Sequence, residues 1–367
     1  MRAWLVAAAV LWACAGEAAA QTGRWLRAES ENFIVYGDRI SPENLHEATQ
    51  ALEDFDTTLR RFTGSTAPPA ENKLHVYLVR DTEALRVVWP GMNREIAGFY
   101  RAGAEEIAAF LIFTDVGGLR RNQVLFHEYA HHFMLHNFPH AYPRWYIEGW
   151  AEYVSTAELT GRTAAVGIPS RGRGSTLGWF GLLPIEQLLA PERMEGRLVR
   201  AFWGQFYANA WFMTDFVLNQ PERRRGFEDY VRALGEGGDP LESFEPAFGI
   251  SMAAFEDELE QHARRGRSPR IRVQLPAAAP QVEVRRMLPV ADDLLLPLAR
   301  ARGGVSQSDA EEIAVELERY AAPHANEPMA QAALARAAVL RGDYARARGL
   351  LEGLAQCNSN VLYTVVG

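Results

Sequence analysis

The stretch Val124–Phe133, VLFHEYAHHF, holds three of the chain's nine histidines within six positions. Inside it, residues 127–131 read HEYAH, the pattern HExxH. On a helix, residues four apart share a face. His127 and His131 can therefore reach one ion, and Glu128, one residue round, can face a water on that ion. Val124, Leu125, Phe126, Ala130, Phe133 and Met134 surround the motif with apolar side chains, which predicts a buried helix over 121–137. Buried imidazoles and a buried carboxylate need partners. A core helix with hydrogen-bonded histidines is the plainer alternative, and a third ligand elsewhere in the chain decides between them.

A zinc site takes three protein ligands and leaves a fourth position open when it is catalytic. The next helix, predicted over 143–160, contains PRWYIEGWAEYVS at Pro143–Ser155. Glu148 follows His131 after sixteen intervening residues, and Glu152 lies one turn further on the same face. One of these carboxylates can bind the metal. The other can accept a hydrogen bond from a ligand histidine and fix its tautomer.

HExxH followed by E-G-x-A-x-Y resembles the gluzincin metallopeptidases, the superfamily of the aminopeptidase-N-like and thermolysin-like enzymes. It is most similar to bacterial exported members that carry HEYAHH and P-x-W-x-x-E-G-x-A-E-Y, with Pro143 and Trp145 here. The likeness spans most of residues 25–264, and its specific part is the two helices. It implies Zn²⁺ held by His127, His131 and Glu148, with Glu128 as general base and Glu152 orienting His127. It also implies an oxyanion donor from a later helix, which maps to Tyr207 in QFYANAWFMTDFVL, with Tyr153 and Tyr146 as lesser candidates. His132 and His136 are expected as hydrogen-bonded neighbours. The strand IAAFLIF (107–113) is expected either as the edge strand that pairs with substrate or as a core strand.

The likeness is incomplete. The spacing to Glu148 is shorter than in aminopeptidase-N-like enzymes. Their G-x-M-E-N motif is missing; PGMNRE at 90–95 has similar letters in another order, so recognition of a substrate N-terminus has no support. The third histidine of the metzincin pattern is also missing, because His140 lies too far along.

Outward from the motif, residues 31–37, 73–79, 96–100 and 105–113 read as strands, and 41–62 reads as a helix with Ser41 as N-cap and Pro42 at its first position. Further helices are expected over 184–190, 203–219, 221–234 and 251–264. A strand-rich half followed by a helical half predicts an α+β fold. With 367 residues, 48% hydrophobic and 23% charged, the composition is globular, and the net charge of −8 argues against nucleic-acid binding.

Residues 1–20 read as a signal peptide: Arg2, an apolar run over Ala3–Ala15, and Ala18 and Ala20 before the cut. The mature chain is then expected in the periplasm or outside the cell, without a membrane span. Trp12 disfavours Cys14 as a lipid anchor. Cys357 is left without a partner, so no internal disulfide is expected. The expected domains are a metallopeptidase domain over 21–265, a linker over 266–290 and a helical segment over 291–367. In that segment Leu334, Ala335, Gly342, Tyr344, Ala347 and Leu351 fit a tetratricopeptide-like hairpin that could dock a protein partner. The expected function is zinc-dependent hydrolysis of peptide or protein substrates. The alternatives are a non-catalytic, zinc-stabilised scaffold and hydrolysis of a non-peptide bond.

Overall fold

The computed structural model describes residues 23–68, 70–103, 105–113, 121–193, 199–266 and 269–357; residues 1–20, expected above as a signal peptide, lie outside the described residues. The fold is mixed α/β. Its centre is β2 (Phe33–Asp38) and β3 (Leu74–Val79), in which every residue is buried. Such strands need cover on both faces. They run parallel because α1 (Pro42–Thr63) crosses between them. After β3 come α2 (Thr82–Val88), β4 (Gly98–Ala102) and β5 (Ile107–Ile112). The six strands lie in the order β4-β5-β3-β2-β1-β9, where β1 is Trp25–Glu29 and β9 is Glu283–Arg286.

One face of this sheet packs on α1 and on α3 (Arg121–Asn137), the HExxH helix, through Val35, Leu52, Phe55, Val76, Leu125 and Phe126. Phe55 and Phe126 stack at 4.1 Å. On the other face an aromatic ladder of Tyr36, Tyr77, Phe110 and Phe99 crosses four strands at centroid spacings of 4.8, 4.6 and 4.9 Å. Helix α2 covers part of that ladder. A helix from the far end of the chain, Val290–Arg302, covers more of it through Ala291, Leu295, Leu296 and Ala299.

The helical half continues with α4 (Arg144–Ser155), α5 (Arg171–Phe180), α6 (Ile185–Leu189), α7 (Val199–Asn219), α8 (Pro221–Gly235), α9 (Phe244–Phe248) and α10 (Met252–Arg265). It closes with α11 (Val290–Arg302), α12 (Ala310–Ala321), α13 (Pro328–Leu340) and α14 (Tyr344–Cys357). Helix α4 packs along α7 at Gly149, where an added Cβ would sit 2.2 Å from the Ala210 carbonyl oxygen. That contact draws the two helices together beside α3. Among the described residues, no helix is long and apolar enough to cross a membrane.

One open alternative is decided and two expectations need correction. Of the two roles open to the strand over 107–113, it takes the core one: it is β5, flanked by β3 and β4 on either side. Strand β4 precedes it in the chain, folds back outside it and takes the edge. The helix expected over 143–160 stops at Ser155, and β6 (Glu158–Thr160) and β7 (Thr163–Val166) follow as a hairpin. Gly161 turns that hairpin with a φ of 59°, open to glycine at no steric cost. Residues 266–290, expected as an irregular linker, carry β8 (Ile271–Gln274) and β9, each only four residues long. Strand β8 extends the small sheet beside β7, and β9 closes the large sheet against β1, which was itself not anticipated.

Candidate metal centre

Helices α3 and α4 bring the expected ligands together. His127 Nε2 and His131 Nε2 are 3.1 Å apart. Glu148 Oε2 lies 3.4 Å from the first and 3.6 Å from the second. Donors bound 2.0–2.2 Å from a tetrahedral ion stand about 3.3–3.6 Å apart. The two Glu148 edges fall in that range and the His127–His131 edge is slightly shorter, so the three donors could converge on one ion. Among the described residues this is the one group of three or more such side chains whose donor atoms converge within 4.8 Å.

The opposite nitrogen of His127 is served as well. Its Nδ1 lies 3.6 Å from Glu152 Oε1. Glu152, 4% exposed, is in turn gripped by Arg173 from α5 through both carboxylate oxygens, with Nε donating to Oε2 at 2.9 Å. The Arg173 guanidinium also lies over the ring of Tyr207, 5.2 Å from its centroid. Tyr207 thus joins the same cluster from α7. Sequence reading missed Arg173, which enters from a glycine-rich helix with no apolar period.

Glu128 is buried on the side facing β4. Its carboxylate accepts a hydrogen bond from the Tyr100 backbone N–H. A Cβ at Gly98 would come within 3.1 Å of Glu128 Oε1, so that strand passes close above the carboxylate. The Ile112 N–H donates to the Ala97 carbonyl, so the backbone polar groups of Gly98 and Tyr100 alternate away from β5, toward the free edge.

The remaining candidates fall elsewhere. His132 is buried with Nδ1 3.2 Å from the Tyr100 hydroxyl, and it stacks on His136. Tyr146 packs on Phe227 at 4.2 Å in an aromatic cluster with Tyr142 and Trp145. Tyr153 is buried between Phe62 and Gly167.

The electrostatics follow from burial and from three carboxylates in one place. Burial disfavours the His127 cation, but the hydrogen bond to Glu148 and the charges of Glu152 and Glu128 outweigh it, raising its pKa to about 9. His131 is pushed down to about 4 by burial and by the His127 charge. Glu128 is raised to about 7, by burial first and then by Glu148 and Glu152, against the opposing pull of His127. Burial would raise Glu148, yet its two histidine neighbours and Arg144 hold it below the ordinary carboxylate range. Tyr207 is raised by burial and by Glu148, Glu128 and Glu152, so its hydroxyl keeps its proton and remains a donor.

No protein-family model matches the chain, and no curated protein is detectably similar to it in sequence.

Proposed function

We propose that this protein is a gluzincin-type, zinc-dependent peptidase that acts outside the cytoplasm. The observation that carries the reading is the His127–His131–Glu148 triangle with Glu128 beside it. Those three residues would hold the ion. When bound, Zn²⁺ supplies a Lewis acid that lowers the pKa of a water and polarises the substrate carbonyl.

The chain's own residues do the rest. Glu128, buried beside the three ligands, takes the proton of the attacking water and returns it to the leaving amine. Tyr207 donates a hydrogen bond to the oxyanion. Glu152, 3.6 Å from His127 Nδ1, would attract the proton to that nitrogen and leave Nε2 free to ligate, and Arg173 fixes the Glu152 carboxylate. The free edge of β4 at Gly98 offers backbone groups to an extended peptide lying over Glu128.

The test combines elemental mass spectrometry with hydrolysis of a denatured protein substrate. Protein purified without a metal-affinity column should contain about one zinc per chain, in keeping with a three-ligand site. Glu128→Gln should keep the zinc and lose turnover by at least about 100-fold, the usual scale of general-base catalysis. Retained proteolysis in that variant would sink the mechanism. Zinc without proteolysis in the wild type would leave a structural metal and favour the scaffold alternative.

A further inference from the structure

Helix α4 presents Arg144, Glu148 and Glu152 at successive four-residue steps, hence along one face. Helix α7 presents Trp203 and Tyr207 in the same way. The two helices run side by side in the same direction, because Arg144 meets Trp203 while Gly149 meets Ala210 and Thr214. Two guanidiniums therefore flank the Glu148 ligand, each laid on an aromatic ring. Arg173 lies over Tyr207, and Arg144 lies over Trp203, 4.4 Å from its centroid.

Their charges are handled differently. Arg173 is neutralised by its two-pronged pairing with Glu152. Arg144 is exposed, and among the described residues no carboxylate comes within ion-pair distance of it, Glu148 one turn away included. Ring stacking fixes a guanidinium in place without cancelling its charge. The planar fork of N–H donors is then left for a carboxylate, which it matches two bonds at a time. One helical turn rises about 5.4 Å, and an extended peptide advances about 3.3 Å per residue. A carboxylate on Arg144 then lies about two residues from a bond held at Glu148.

We infer that Arg144, braced on Trp203, is a carboxylate-binding subsite, and that the preferred substrates are peptides with a carboxylate within about two residues of the scissile bond. The inference rests on the peptidase reading above. The carboxylate can belong to an Asp or Glu side chain or to the peptide's own C-terminus.

The experiment measures retention of a randomised hexapeptide library on zinc-loaded Glu128→Gln protein, read by mass spectrometry. The library is made as free acids and as C-terminal amides, each with Asp/Glu or with Asn/Gln at the acidic positions. Carboxylate-bearing peptides should be retained about tenfold over their amide counterparts, the scale of one good charge-assisted contact. Adding Arg144→Gln should bring that ratio close to one while zinc content and retention of the neutral peptides stay unchanged. Preference for free termini would identify the C-terminal carboxylate as the ligand, and preference for Asp/Glu the side chain; either supports the subsite. Equal retention of acid and amide forms, or a preference that survives Arg144→Gln, would overturn the subsite and leave the peptidase reading intact. No retention of any peptide by the zinc-loaded protein would overturn both.

Discussion

At the scale of single residues, the proposed centre sets a proton against a metal. With no ion between them, Glu148, Glu152 and Glu128 keep His127 protonated up to about pH 9. A ligating imidazole must be neutral, so binding expels that proton. Zinc affinity should accordingly rise by about tenfold per pH unit from neutrality toward pH 9 and then level off. Competition with a chelator of known affinity measures this, and a flat profile would place the proton elsewhere. Arg173 has a different part, gripping the Glu152 carboxylate that lies 3.6 Å from His127 Nδ1. Arg173→Met should weaken zinc binding by about 10- to 100-fold, the range found when an outer partner of a ligand is removed. Stability should fall as well, by about 3 kcal/mol, because the buried Glu152 carboxylate loses its two-pronged partner. That His127, His131 and Glu148 come together was legible in the sequence, because four-residue spacing is a geometric statement. Arg173 was not, because it reaches Glu152 across 21 positions from a segment without pattern. The Tyr100 contact to Glu128 was not either, since a backbone N–H leaves no mark in a sequence.

At the scale of elements, the E-G pair in the α4 motif joins a proposed ligand to a packing requirement. Glu148 faces the centre, while Gly149 lets α7 approach until Ala210 and Thr214 lie where a Cβ would be. Gly149→Ala should therefore push α4 away from α7 and cost about 1–3 kcal/mol or more, as overpacking does. It should also reduce zinc affinity, because the displaced helix carries Glu148. Urea unfolding alongside zinc titration checks both, and a variant as stable as the wild type would mean the helix pair absorbs the methyl group by sliding. The long elements were legible: α3 occupies the predicted span 121–137, and α1 starts at its predicted cap, where the Asn44 N–H donates to Ser41 Oγ. Strands β1, β8 and β9 were not, because four or five residues give too short an alternation to stand out from loop sequence. The order of strands across the sheet was not legible either. Chain order places β5 next to the metal helix, whereas pairing makes β4 the edge.

At the scale of the whole molecule, the C-terminal helices are tied to the strands that border the centre. Arg101 of β4 donates to the Ala299 carbonyl at 2.6 Å, and its guanidinium lies where a Cβ on Gly303 would be. Just before β5, Glu106 is 3% exposed. It accepts from the Tyr77 hydroxyl at 2.6 Å, with His75 Nδ1 at 2.8 Å and Arg302 of α11 at 3.8 Å. Burial alone would raise its pKa, but His75, Arg302 and Tyr77 together bring it below the ordinary value of 4.5. A carboxyl whose folded pKa is depressed contributes stability above its unfolded pKa and loses that contribution as pH falls through the folded one. Acid should therefore loosen the joint between the C-terminal helices and the β4–β5 hairpin, starting below about pH 4.5. Glu106→Gln should remove that acid-dependent step. At neutral pH it should cost about 3 kcal/mol, because Arg302 keeps its charge in a buried place made for a carboxylate. Stability against urea, measured from pH 7 down to pH 3 in both proteins, tests this: the two curves should converge as the wild type loses what the variant never had. Parallel curves would show that Glu106 does not hold the joint. The C-terminal helices would then be fastened by the apolar contacts of α11 with the aromatic ladder of the sheet.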